Sequence, residues 1–258
     1  MSAGKENPDS RNSPMHFARY EFKYILTAKK RVELEKDLHY FVELDPFVQN
    51  IPNHKYVVRS LYYDDPFNSA FHDKIDGLFA RSKFRIRTYD QHAETMKTLF
   101  LEIKGRHNNL VFKHRTPVKI NGFNWGALHN GGLAKAIFEN AEPCPVADQF
   151  YFDSIRKKLQ PVALIDYERR PYFSKYDHNF RLTFDDHLRA LATNTLFPNK
   201  NVTPKDILSG YTVLEMKFKH QTPSWFHRLI QTHELQKVSL SKICAGMEVL
   251  GIEYDESN

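Results

Sequence analysis

Hydrophobic and polar residues alternate along this chain in short runs, and a period of two predicts strands. The stretch Leu99–Arg115 shows the pattern most compactly. Leu99, Leu101 and Ile103 share one side, while Glu102 and Lys104 share the other. After the polar trio His107-Asn108-Asn109, Lys113 and Arg115 share a side. Two alternating runs around a turn predict a hairpin. The same alternation recurs in RYEFKYIL (within Ala18–Leu26), YVVRSLYYDD (Lys55–Asp64), SKFRIRTYD (Ser82–Asp90), VALIDYERR (Val162–Arg170), FRLTFDD (Phe180–Asp186) and YTVLEMKFK (Tyr211–Lys219).

Between the strands the spacing turns helical. Thr27 is placed to cap a helix running to about Leu44, with Val32, Leu34, Leu38 and Phe41 on its apolar side and Asp45-Pro46 at its end. Pro66–Ile75 predicts a short helix closed by Asp76-Gly77, and a further short helix is expected after Gly132 within Phe123–Glu139. Val146–Leu159, stopped by Pro161, Thr222–Leu235, with Pro223 in its first turn, and Ser239–Leu250 complete the helices; Ala190–Ile207 is a turn-rich connection. Residues 1–15 are polar and free of aromatics, predicting a disordered leader. Residues 16–258 then form one domain with no internal repeat.

The polar faces of the strands carry the functional signal. They hold Arg19, Glu21 and Lys23; Arg85 and Arg87; Glu102 and Lys104; Lys113 and Arg115; Tyr167 and Arg169; Arg181 and Asp185; and Glu215, Lys217 and Lys219. Arg59 sits differently, on the side of Val57, Leu61 and Tyr63. An antiparallel sheet with one wet face accounts for any single strand. Pooled, the faces are mostly Arg and Lys, and eight strands close into a bore about wide enough for one ligand. The expected fold is therefore α+β: a closed eight-stranded antiparallel β-barrel with helices packed on the outside. Buried cations in such number need a polyanion or water, and guanidinium groups grip phosphate oxygens in pairs. Glu21, Glu102 and Glu215 lie among the cations, where they could hold Mn²⁺ or Mg²⁺ against phosphate oxygens, or simply pair with their neighbours.

Overall charge agrees with a polyanionic partner: 37 Lys and Arg against 31 Asp and Glu, a formal +6. Nucleic acid is disfavoured, because the cations alternate inside strands rather than forming an exposed stripe. The 13 histidines form no catalytic arrangement, and the two cysteines, Cys144 and Cys244, lack metal-ligand spacing. No apolar run reaches the roughly 18 residues of a spanning helix, and no apolar h-region follows Met1. The expectation is a cytoplasmic protein, with docking to a membrane protein at the cytoplasmic face left open.

Taken in order, RYEFKY, SLYYDD, KFRIR, LEIKGR, YERRPY, RLTFD, VLEMKF and LSK resemble the VTC domain, the polyphosphate polymerase branch of the CYTH-like triphosphate tunnel metalloenzymes, from about Phe17 to Gly251. The resemblance implies an eight-stranded basic tunnel that makes polyphosphate from ATP with a divalent metal, typically Mn²⁺. It assigns phosphate contacts to Lys23, Arg85, Arg87, Lys104, Lys113, Tyr167, Arg169 and Arg181, with Arg59 and Lys217 as further candidates. It places a metal-binding carboxylate at Glu215 and a Ser-Lys pair touching the phosphate chain at Ser241 and Lys242. One departure stands out. The wider superfamily often opens with Glu-x-Glu-x-Lys, whereas this chain has Arg19-Tyr20-Glu21-Phe22-Lys23, exchanging a potential metal ligand for a cation.

The implied activity is ATP:polyphosphate phosphotransfer. Hydrolysis of inorganic triphosphate or polyphosphate by the same side chains, and a non-catalytic polyphosphate- or inositol-phosphate-binding module, are the alternatives.

Overall fold

The computed structural model describes residues 20–108, 110–120, 133–199 and 201–252. The expected leader at 1–15, Arg19 and the first part of the 123–139 segment lie outside them. Among the described residues the strands are β1 (Tyr20–Thr27), β2 (Val42–Leu44), β3 (Tyr56–Asp64), β4 (Ala80–Thr88), β5 (Phe100–His107), β6 (Leu110–Pro117), β7 (Gln160–Ser174), β8 (Arg181–Leu191), β9 (Lys205–Asp206) and β10 (Tyr211–Phe218). The helices are α1 (Ala28–Leu38), α2 (Ser69–Ile75), α3 (Leu133–Asn140), α4 (Pro145–Arg156), α5 (Ser224–Thr232) and α6 (Lys242–Leu250).

All ladders are antiparallel, so the α+β class holds, but the sheet has ten strands and is not closed. Eight strands form the path β1-β10-β8-β7-β3-β4-β5-β6; β2 adds to β7 and β9 to β8. The path curls until Cα atoms of β1 and β6 come within 8 Å, yet no ladder joins them. Part of β1's free edge is already used: Lys237 bridges to Tyr24, and the Val238 amide donates to the Lys23 carbonyl at 2.9 Å. A strand edge satisfied in this way has less left to offer β6.

Local chemistry explains the element ends. Thr27 caps α1, its hydroxyl accepting from the Lys30 amide at 3.2 Å. The helix stops at Leu38 rather than near Leu44, because Val42–Leu44 pairs with Tyr172–Ser174 instead. Asp64 and Asp65 take the free amides around the start of α2, Asp64 accepting from Ala70 and Phe71 and Asp65 from Ser69. Ser241 caps α6, and Gly251 ends it with a φ of 74°, a left-handed position suited to glycine.

Three apolar clusters fix the architecture. On the outer face α3 and α4 cover β3, β4 and β5, with Ile137 and Phe150 against Phe84, Ile86 and Leu101. Also outside, α1 and α5 cover β1, β8 and β10, with Leu34 and Phe226 among Leu26, Phe184 and Leu214. The third cluster corrects the expectation that helices stay outside. Ile243, Cys244 and Met247 of α6 pack on the inner positions Val58, Ile165, Tyr167, Ala190 and Val213. Gly246 permits this approach, since a Cβ there would lie 2.4 Å from Ile165 Cδ1. Part of the interior is thus apolar and filled, and the charged part is what remains.

Candidate phosphate-binding site

The charged part of the inner face is built from two carboxylate-centred clusters. In the first, alternation on β10 turns Glu215 inward opposite Leu214 and Met216, which pack outside. Arg169 of β7 donates to Glu215 at 2.9 Å and grips Asp185 of β8 with two bonds of 2.7 Å. Lys242, the first residue of α6, reaches Glu215 at 2.5 Å and Asp185 at 2.6 Å. Lys217 and Lys23 stand 3.5 and 3.7 Å from Glu215. The Arg169 guanidinium and the Lys242 ammonium both face the Tyr167 ring, 5.2 and 4.7 Å from its centroid.

The second cluster centres on Glu102 of β5, which is fully buried. Arg85 binds it through Nε at 2.8 Å and Nη2 at 2.7 Å, while Lys113 of β6 lies 2.6 Å away and Arg87 3.9 Å away. Arg85 also donates to the Tyr62 hydroxyl at 2.7 Å, and Arg87 to Ser60 at 3.0 Å and to Tyr167 at 3.4 Å. Glu21 links the clusters: Lys104 of β5 lies 3.0 Å from it and Lys23 3.2 Å.

Electrostatics follow from burial opposed by counter-charge. Burial raises the Glu215 carboxyl, but Lys242, Lys217, Arg169 and Lys23 outweigh it and hold the group well below the usual carboxylate range. Glu21 and Glu102 are likewise pushed up by burial and pulled further down, Glu21 by Lys104 and Lys23, Glu102 by Arg85, Arg87 and Lys113. Lys242 behaves conversely. Burial lowers its ammonium, and Asp185 and Glu215 raise it further. Lys113 differs from the rest: burial, with repulsion from Arg85 and Arg87, pushes its amine down to about 7 despite Glu102.

Most of the expected site residues are brought together: Lys23, Tyr167, Arg169, Lys217 and Lys242 around Glu215, and Arg85, Arg87 and Lys113 around Glu102, with Lys104 and Glu21 between. Arg181 lies on the same face of β8, opposite Lys217, with its guanidinium over the Phe173 ring at 4.0 Å. Ser241 is the α6 cap, its hydroxyl accepting from the Cys244 amide at 3.5 Å. Arg59 is not in the cluster. It shares its side of β3 with Leu61 and Tyr63, which pack in the outer core, and is clamped by Asp166 at 2.6–3.2 Å over the Phe197 ring. Asp185, Tyr62 and Ser60 join the site without having been singled out. Asp185 shows in sequence only as a charged-face residue, and its role depends on its pairing with Arg169.

Glu21, Glu102 and Glu215 do not gather as one metal centre, and no group of three or more metal-ligating side chains occurs among the described residues. Glu21 and Glu215 share Lys23, which makes them the closest-linked carboxylates across β1 and β10. Two carboxylates suit Mg²⁺ or Mn²⁺ when phosphate oxygens and water complete the shell. The donor set fits a metal that arrives with its phosphate, and it does not form an all-protein cage.

The model of the VTC domain family matches residues 18–251. The chain belongs to the VTC domain family. No curated protein sequence matches it. In fold, this VTC domain is similar to a candidate adenylate cyclase from Bacillus halodurans, at 12% identity and TM-score 0.50, covering 86% of this chain and 93% of that one. It is also similar to a candidate adenylyl cyclase from Hippeastrum described as having a dominant triphosphatase activity. That match has 11% identity and TM-score 0.51, and covers 90% of this chain and 95% of the other. At such identities the likeness speaks for the fold. Among the described residues, no helix of this VTC domain is long and apolar enough to cross a membrane.

Proposed function

We propose that this VTC domain is an enzyme acting on phosphate chains, and specifically an ATP-dependent polyphosphate polymerase. The bond between the γ-phosphorus of ATP and its bridging oxygen breaks, leaving the electron pair on ADP. A terminal oxygen of phosphate or polyphosphate forms the new bond. The observation that carries this reading is the pair of buried arginines, Arg85 fixed by Glu102 and Arg169 by Asp185 and Glu215, both flanked by lysines on one inner face. Phosphoryl transfer asks for positioning and charge stabilisation more than for covalent chemistry. The acceptor is already an anion, so no protein base or nucleophile is needed.

Arg85 and Arg169 are orienting groups, because their forks are held before substrate arrives. Lys104, Lys113, Lys217 and Lys23 each touch a carboxylate through a single ammonium and can turn to phosphate oxygens. Arg181 extends the row on β8, and Lys242 carries the N-terminal end of α6 towards the same space. Glu215 with Glu21 would hold the divalent metal, Mn²⁺ or Mg²⁺, which neutralises charge on the phosphate oxygens. Glu102 stays with Arg85 and Lys113.

Hydrolysis is the second reading, favoured by the triphosphatase activity described for the Hippeastrum protein of similar fold. Purified protein given ATP and Mn²⁺ separates the two. ADP with acid-insoluble polyphosphate and little free phosphate is the expected result. Free phosphate without chains would replace the polymerase by a hydrolase, and binding without turnover would remove the enzyme reading.

A further inference from the structure

Helix α4 carries two apolar faces. Val146, Ala147 and Phe150 are buried against the sheet. Residues three and four apart fall on one side of a helix, so Asp148, Tyr151, Phe152, Ile155 and Arg156 make a second stripe. That stripe faces solvent: Tyr151 is 38% exposed, Phe152 58% and Ile155 64%. Phe138 of α3 stacks on Tyr151 with ring centroids 4.2 Å apart, and with the stripe it lines a groove of about 260 Å³. One apolar side chain in water is ordinary. Three on one helical face, beside a groove, mark a contact surface.

The two ends of the stripe carry opposite charges. Asp148 lies in the first turn of α4 and Arg156 in the last. Neither has an ion-pair partner among the described residues; the Arg156 guanidinium lies over the Phe152 ring, 5.7 Å from its centroid. Phe152 stands midway between them, four residues from each. At about 1.5 Å per residue the two charges are about 12 Å apart along the helix. A two-fold axis through Phe152 therefore sets Asp148 against the partner's Arg156, and Arg156 against the partner's Asp148. The partner's Phe152 meets Phe152 on the axis. The stripe is its own antiparallel complement, as an isologous contact requires. The same arrangement brings the positive end of one helix dipole to the negative end of the other.

We propose that this face of α4 is a homodimer interface, with α4 of two copies packed antiparallel about Phe152. A second copy is the occupant that the charge order selects, because reading the stripe from its other end exchanges the two signs. The inference stands apart from the phosphate reading. Helix α4 lies on the outer face of the sheet, so the dimer leaves the inner-face clusters of both copies uncovered.

Sedimentation of the full chain from about 5 to 500 μM tests this. A contact below the standard interface size is expected to give a monomer–dimer equilibrium with a dissociation constant of about 50 μM. Asp148→Arg and Arg156→Asp, each alone, oppose like charges at both ends of the pair and should weaken association about tenfold or more. Mixed one to one, the two variants should associate again, because every contact across the axis regains opposite charges. That recovery also reports that both variants are folded. Phe152→Asp places two carboxylates on the axis and should leave a monomer, with a melting temperature close to that of the unmodified protein. A monomer at every concentration would overturn the proposal. A dimer indifferent to all three substitutions would place the interface elsewhere, and weakened variants that fail to recover on mixing would overturn the antiparallel register.

Discussion

Lys104 on β5 meets Glu21 on β1 at 3.0 Å, across the seam where the two ends of the eight-strand path approach without pairing. Backbone hydrogen bonds do not close the sheet there. An ion pair between side chains spans the gap on the inner face, at the point where the two cation clusters touch. Because the second partner of Glu21, Lys23, lies on β1 itself, the pair can open towards a ligand without stranding a buried carboxylate.

That arrangement separates activity from stability in Lys104→Met. Glu21 keeps Lys23, and the lysine side chain is one-third exposed, so the fold loses about 1 kcal/mol or less. This is a drop of about 2–4 °C in melting temperature for a chain of this size. Turnover with ATP should fall about 10²-fold, as for removal of one donor aimed at developing charge. Melting and turnover measured on the same preparation check this. Near-normal turnover would remove Lys104 from the phosphate path.

Asp185→Asn should behave oppositely. Asp185 is fully buried and holds both Arg169 and Lys242. Breaking a buried pair while its cations stay costs about 3–5 kcal/mol. Denaturant unfolding should show the midpoint move strongly with an unchanged slope. A shift of a few tenths of a kcal/mol would mean that Glu215 alone suffices to hold the two cations.

Period-two alternation exposed the strands, and with them nearly every residue of the two clusters, because the inner face differs from the outer by charge. Even Arg59 was legible by parity: it shares a side with Leu61 and Tyr63, and that side packs outward. Other features depend on contacts between distant segments. Nothing in the spacing of Ile243, Cys244 and Met247 tells which face of the sheet α6 covers. The Arg169–Asp185 pairing follows a register that shifts between Asp166 and Glu168. Part of the β1 edge is taken by a bridge from Lys237, on a segment with no strand pattern of its own.

The carboxylates should divide in their response to metal. Glu215→Gln and Glu21→Gln should each raise the Mn²⁺ concentration needed for half-maximal turnover, by about tenfold or more. A variant at Glu102 should instead disturb Arg85 and lower turnover at saturating metal, with little change in the metal midpoint. Titrations of turnover against Mn²⁺ from chelator-treated protein read this directly. Equal midpoint shifts for all three would restore a three-carboxylate site.

Lys113 gives the domain a pH dependence of definite sign. Its amine is pushed down from the usual 10.5 to about 7, by burial first and by Arg85 and Arg87 next. Between about pH 7 and 10.5 the unfolded chain binds the proton that the folded chain lacks, so this group's contribution to stability rises with pH in that window. Phosphate binding runs the other way. A polyanion favours the ammonium, so binding draws a proton from solution above pH 7, and affinity falls as pH climbs from 7 towards 9. Calorimetry of polyphosphate binding in buffers of different ionisation heat should show this uptake. Lys113→Arg, charged throughout, should abolish most of it while still binding. Uptake that is the same in both proteins would assign the proton to another group and leave Lys113 outside the phosphate path.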